Sequence, residues 1–230
     1  MSDSIKEKAS SIFSAEVTVK IAIRVEDDIV DAVNEIASEM DIGLVIKSNM
    51  KEGGGIHNPM DWRLIREISL PLLLVSNRKR KVHPVVLATI DIDESSDYQK
   101  SQNGKVLDWT KYCAGLLNCD IQAIYNIPMS KATLELEVFQ PDEILNREGP
   151  EKQKALIDIL ESNEVKATKA LVTAGDISKN IPRATSKEKP EILVVGTKGR
   201  KGIKGFLLGN TVEKILKNTQ TDVLVIRSAG

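Results

Sequence analysis

The chain has 230 residues, of which 41% are apolar and 28% charged, with a net charge of -1, enough apolar material for one or two packed domains. That charge balance argues against a global nucleic-acid binder, and aromatics at 3% argue against a base-stacking platform. The polar start MSDSIKEKAS lacks the apolar core of a signal peptide, and no apolar run reaches membrane-spanning length, so the expected location is cytoplasmic, with no membrane and no nucleic acid among the partners.

In chain order, EVTVKIAIR (16–24) reads as a strand. Ile29, Val30, Val33, Ile36 and Ala37 recur at helical spacing. DIGLVIK (41–47) reads as a strand, MDWRLIREI (60–68) as a helix and PLLLV (71–75) as a strand. The run SNRKRKVH (76–83) is a solvated hinge. VVLATID (85–91) is a strand ending in acidic residues. Residues 97–118 form a helix with Val106, Trp109, Cys113, Leu116 and Leu117 on one stripe. DIQAIYNIP (120–128) is a strand stopped by Pro128. Residues 141–163 are helical in their second half, and 165–176 close a strand on Gly175 and Asp176. Residues 177–190 form a weak helix at best, because Pro182 sits inside them. EILVVGT (191–197) is a buried strand, followed by the glycine-rich run 196–211. TVEKILKN (211–218) is a helix and TDVLVIR (221–227) the last strand.

From residue 85 onward this is a βαβαβαβαβ pattern, which calls for a parallel sheet with helices on both faces. The first third repeats the back half of it. Sliding by 149 places Asp41–Lys47 on Pro190–Gly196, and sliding by 151 places Pro71–Val75 on Asp222–Ile226. The chain therefore divides into a partial first repeat, 1–77, lacking strands 1 and 2, and a complete second, 82–229. Missing strands leave an open sheet edge, so the expectation is either a chain truncated relative to a full tandem protein or a half-repeat that completes its sheet elsewhere.

Gly196, two residues, Gly199, nine residues and Gly209, with apolar strands on either side, resemble the nucleotide loop of the universal stress protein family, and the whole chain resembles its tandem-domain members. The resemblance implies an α/β parallel-sheet fold of the adenine nucleotide alpha hydrolase-like, Rossmann-like kind, with strand order 3-2-1-4-5. Strands 1 and 4 then adjoin at a topological switch point, and their carboxyl ends form a ligand crevice. Nucleotide-binding members hold ATP there. Carried over by position, the binding residues are Thr89, Ile90 and Asp91 on strand 1, Asn126 on strand 2, Val195, Gly196, Gly199 and Arg200 after strand 4, and Gly209, Asn210 and Thr211 before the last helix. Glycines admit close approach of phosphate to backbone N–H groups, and Lys198, Arg200, Lys201 and Lys204 place positive charge in the same run. Asn210 departs from the family's Ser or Thr, although an amide can still donate to phosphate.

The first repeat departs further. Lys47 stands at the position of Gly196 and Asn58 at that of Gly209, so it is expected to be nucleotide-silent. Asp91, Asp93 and Glu94 are either an acidic turn or holders of Mg²⁺ arriving with a nucleotide. His57 and His83 have no metal-ligand spacing, Cys113 and Cys119 form no CxxC pair, and no P-loop or nucleophile elbow occurs. Trp62 and Trp109 read as core or interface anchors. The resemblance implies a stress-response regulator with ATP as ligand and no fast catalysis, a slow ATPase being one variant. The alternative is a nucleotide-silent module for protein partners or an apolar ligand. Family members often dimerise through their last strands, so a homodimer is allowed, and in a tandem chain 71–75 and 221–227 are expected to meet about a pseudo-twofold axis.

The asymmetry between the repeats predicts one nucleotide per chain. Gly199→Val, which puts a side chain where phosphate approaches backbone, is expected to abolish ATP binding in titration calorimetry while the fold is retained; a stoichiometry of two would contradict the assignment.

Overall fold

The computed structural model describes residues 7–8, 11–12, 17–20, 28–49, 59–76, 84–93, 96–130, 140–197 and 210–227, the side chains of 49 and 210–212 excepted. The chain divides into two compact units, residues 1–41 and 42–230. In the first unit, helix α1 (Ile29–Glu39) starts at Asp28, whose carboxylate accepts a hydrogen bond from Val30 N at 2.9 Å. That is an ordinary N-cap, satisfying one of the orphan donors of the first turn. The strand expected over 16–24 is not found where it is described: 17–20 carry no strand, and Val17 and Val19 are exposed. A strand exists by pairing its N–H and C=O groups with a neighbour. Among the described residues no strand pairs with 17–20.

The second unit is built on one seven-stranded sheet. Its elements are β1 (Val45–Asn49), α2 (Pro59–Glu67), β2 (Leu72–Ser76), β3 (Val85–Thr89), α3 (Asp97–Leu117), β4 (Asp120–Pro128), α4 (Pro141–Ser162), β5 (Lys169–Gly175), α5 (Ile177–Glu188), β6 (Ile192–Thr197), α6 (Asn210–Asn218) and β7 (Asp222–Arg227). The strand order is β1-β2-β7-β6-β3-β4-β5. From β3 onward this is the expected 3-2-1-4-5, all parallel. The strands of the repeated first third are added beyond β7.

Among the described residues that addition is the one antiparallel pairing. Leu72 pairs with Val225, Leu73 with Leu224 and Leu74 with Val223. The repeat offset of 151 maps Leu73 onto Leu224, so each lies opposite its own counterpart, as a local twofold axis requires. The same offset maps Trp62 onto Glu213 and Arg66 onto Lys217. Across the axis Arg66 forms an ion pair with Glu213, and Lys217 Nζ sits 5.6 Å from the centre of the Trp62 ring. One symmetric contact is thus made once as a salt bridge and once as a cation–π pair. Arg227 ties the seam further, donating to the carbonyls of Arg66 at 3.1 Å and Ile68 at 3.0 Å. Ser76 donates both N–H and O–H to Asp222, each at 2.7 Å.

Two helices run further than their sequences predict. α4 is helical from Pro141, not only in its second half, because Pro at the first position has no N–H to waste and Gln140 and Glu143 form a reciprocal capping box. Pro150 within it removes one backbone hydrogen bond without ending the helix. α5 likewise tolerates Pro182 for twelve residues. Asp176 caps it, accepting from Ser178 N at 2.9 Å, and burial of Ile181, Pro182 and Thr185 outweighs the lost bond. On α3, Leu116 is exposed rather than on the buried stripe, which instead carries Gln99, Gln102, Asn103, Val106, Leu107, Thr110, Cys113 and Ala114.

The core on one face joins α3 and α4 to the sheet through Val106, Leu107, Leu156, Leu160, Val86, Ala88, Val194 and Leu224. Leu224 is fully buried beside the antiparallel seam. Leu224→Ala is expected to cost about 2–5 kcal/mol in urea unfolding. Ile46→Ala, at the exposed edge strand, is expected to stay within about 0.5 kcal/mol. Equal costs would show that the seam is not a packed interior.

Candidate functional site

β3 and β4 stay in register to Thr89 opposite Ile124, and Ile90 N still donates to Ile124 O at 3.0 Å. β3 then ends, while β4 runs on beside β5 to Pro128. On the other side β3 pairs with β6 up to Ala88 and Val194, and Thr89 Oγ1 reaches across to Val194 O at 3.2 Å. Past these pairs the two strands feed helices on opposite faces, α3 on one and α6, packed against α5, on the other. A crevice of about 250 Å³ opens between them.

Val106, Ile177, Ile181, Val195 and Ile215 give this crevice an apolar wall, and Thr89, Ile90, Asp91, Asp93, Gln99, Gln102, Asn103, Tyr125, Asn126 and Gly196 complete most of the lining. Six residues picked from the sequence as ligand contacts, Thr89, Ile90, Asp91, Asn126, Val195 and Gly196, all come together here. Gly199, Arg200 and Gly209 lie outside the described residues, as do the side chains of Asn210 and Thr211, whose backbones open α6. His57, His83 and Glu94 also lie outside. Cys113 and Cys119 are free, and burial pushes the Cys113 thiol above its usual pKa, as does neighbouring Cys119.

Gly196 is required by packing. A Cβ there would meet Gln102 Nε2 at 2.6 Å and Val106 Cγ2 at 3.2 Å. Gln102 is buried and pinned, donating to Ile226 O at 2.9 Å. The glycine therefore lets α3 lie close against β6, the close helix–strand packing that a glycine also permits in dinucleotide-binding α/β folds. Asn126 spends its side chain on protein: it donates to the carbonyls of Ile127 and Gly175 and accepts from Thr173 and Asn180. What it offers a ligand is main chain.

At the rim Asp93 accepts from Tyr125 OH and from Lys152 Nζ, the latter at 2.7 Å. Partial burial would raise the Asp93 pKa, but hydrogen bonds from Lys152 and Tyr125 outweigh it and hold the carboxyl below its usual range. Burial, with Asp93 alongside, pushes the Tyr125 hydroxyl well up, so it stays protonated. Gln99, Gln102 and Asn103 are not among the site residues expected from sequence. Their signal was polar residues at steps of three and four on the face that the apolar end of α3 marks as buried. In the first repeat, Lys47 at the Gly196 position lies 2.6 Å from the fully buried carboxylate of Asp61. Among the described residues no group of three His, Cys, Asp or Glu is placed to hold a metal, and no helix is long and apolar enough to cross a membrane.

The sequence pattern of the universal stress protein family matches residues 95–227, more than half of the chain. The universal stress protein E homolog of Haemophilus influenzae is 24% identical over 203 residues, covering 86% of this chain and 66% of that protein. Universal stress protein E of Escherichia coli is 24% identical over 175 residues, covering 75% of this chain and 55% of that protein. The chain thus spans about 55–66% of the length of these relatives. Among solved structures, a universal stress protein from Pseudomonas aeruginosa superposes with a TM-score of 0.78 at 22% identity, over 98% of this chain and 78% of that one. One from Archaeoglobus fulgidus gives 0.60 at 13%, over 99% and 80%. At these identities the likeness establishes the fold.

Gly196→Ala is expected to break the Gln102–Ile226 bond and cost about 1–3 kcal/mol in urea unfolding, the usual toll of an unmade buried hydrogen bond. Gly115→Ala, in the last turn of α3 with open space around its Cβ, is expected to stabilise by about 0.5 kcal/mol or less. The same sign for both would refute the packing role of Gly196.

Proposed function

We propose that this chain, which belongs to the universal stress protein family, is a stress-response regulator that holds ATP, with Mg²⁺, in the crevice between β3 and β6 and does not turn it over rapidly. The observation that carries this reading is the convergence of Thr89, Ile90, Asp91, Asn126, Val195 and Gly196 on one crevice. These residues were picked from sequence as nucleotide contacts, and they come from three strands that are far apart in the chain. Small-molecule sites run to roughly 300–1,000 Å³. About 250 Å³ therefore suits a nucleoside, with phosphates outside it, toward the run 198–209. That run carries Gly199, Gly209, Lys198 and Arg200, a composition suited to phosphate.

The same reading divides the chain into a partial repeat, 1–77, and a complete one, 82–229, and assigns the nucleotide to the second alone. The ion pair of Lys47 with Asp61 supports a silent first repeat, since it fills with protein charge the position that glycine holds in the second. A cytoplasmic location and protein partners belong to this reading as well, and it carries no catalytic residue. The apolar wall of Ile177, Ile181 and Ile215 favours a second reading, in which the crevice takes an apolar ligand and no nucleotide.

Native mass spectrometry of the purified protein separates the two. The nucleotide reading expects one ATP per chain, and a retained apolar species with no ATP would overturn it. Asp91→Ala is expected to weaken ATP by roughly 1–3 kcal/mol in calorimetry, the cost of removing one partner of a partly buried polar contact.

A further inference from the structure

We propose that Gln99 sets the ligand specificity of the crevice: its Oε1 accepts a hydrogen bond from an N–H or O–H donor on the nucleoside part of the bound nucleotide. The proposal rests on the reading that the crevice takes a nucleotide, and adds to it which chemical group is selected and which end of the ligand lies deepest.

The backbone of Asp91 anchors a chain of side-chain amides. Its N–H donates to Asn103 Oδ1 at 3.3 Å, and its carbonyl accepts from Asn103 Nδ2 at 2.6 Å. This two-point contact fixes which end of the Asn103 amide is oxygen, because the flipped amide would set donor against donor and acceptor against acceptor. Asn103 Oδ1 in turn accepts from Gln99 Nε2 at 3.1 Å. The orientation of Gln99 is thereby fixed as well, and its oxygen is the end left over. Gln99 is 3% exposed and lines the crevice, and among the described residues its Oε1 has no hydrogen-bond partner. Buried acceptors are nearly always paired, and leaving one unpaired is costly.

Among the described residues the crevice does not supply the missing donor. Tyr125 OH is given to Asp93, Gln102 Nε2 to Ile226 O, and Asn126 Nδ2 to two carbonyls. A donor arriving with the ligand completes the network. The amino group of adenine and the hydroxyls of ribose both qualify. A phosphate does not, because its oxygens would face another acceptor, so the nucleoside end lies at Gln99 and the phosphates point away. A purely apolar ligand would leave Oε1 as it is.

The test is calorimetry of the whole chain with ATP, inosine triphosphate, 2′-deoxy-ATP and 3′-deoxy-ATP, on the wild type and on Gln99→Met, which keeps the length of the side chain and removes the acceptor. The wild type is expected to bind ATP and to lose roughly tenfold on one of the analogues, and the analogue that loses identifies the donor. Gln99→Met, at an unchanged melting temperature, is expected to bind ATP roughly tenfold more weakly and to treat that analogue like ATP. Undiminished ATP binding by Gln99→Met, or discrimination that survives the substitution, overturns the proposal. Should that variant not fold, the wild-type series still decides, since equal affinity for ATP and all three analogues overturns the role of Gln99 while leaving nucleotide binding intact. A wild type that binds none of the four overturns both.

Discussion

The missing side chain at position 196 sets how closely α3 approaches the sheet, and much of the second unit follows from that distance. With only hydrogen there, Gln102 reaches over β6 to the carbonyl of Ile226 on β7. Val106 packs down beside it. The N-terminal turns of α3 are thereby held over the ends of β3 and β6, and Asn103 meets the backbone of Asp91 just where β3 gives out. A larger residue would lift the helix and open this network. The nearest neighbours of this glycine are protein atoms, so its first task is to let a helix lie flat.

The polar atoms that α3 brings to the interior are paired in sequence from the backbone outward. Asp91 satisfies Asn103, Asn103 satisfies half of Gln99, and Gln102 is spent on Ile226. On the far side Asn126 joins β4, β5 and α5 through four hydrogen bonds. Burial makes such networks all-or-nothing, since a partner lost in a low-dielectric interior is not replaced by water. They hold the walls of the crevice rigid and leave its centre apolar.

The seam between β2 and β7 solves a different problem. A parallel sheet that ended at β7 would present an unpaired apolar edge, a template for association. The repeated strands cover it, in the antiparallel sense that a local twofold demands. The two symmetric contacts differ in their side chains: the position filled by Arg66 and Glu213 on one side of the axis is filled by Lys217 and Trp62 on the other. Each pairing satisfies a cation, one with a carboxylate and the other with an aromatic face.

Most of the element order could be read from the chain, because continuous apolar runs and helical spacings such as Ile29–Val33–Ile36 are local signals. Glycine spacing, with the family it resembles, gave the strand order from β3 to β7 and six residues of the crevice, since a switch point puts strand ends together whatever lies between them. Tertiary structure decided the rest. Residues 17–20 have strand composition and no strand, because pairing is not a property of one segment. Pro150 and Pro182 sit inside helices because burial along α4 and α5 outweighs one lost bond, a balance that propensity cannot weigh. Gln99, Gln102 and Asn103 look like a solvated helix face in sequence. Only the backbone of Asp91 and the carbonyl of Ile226, 12 and 124 residues away from their partners, make that face an interior, because a side-chain amide is readable only once its donors and acceptors are in place.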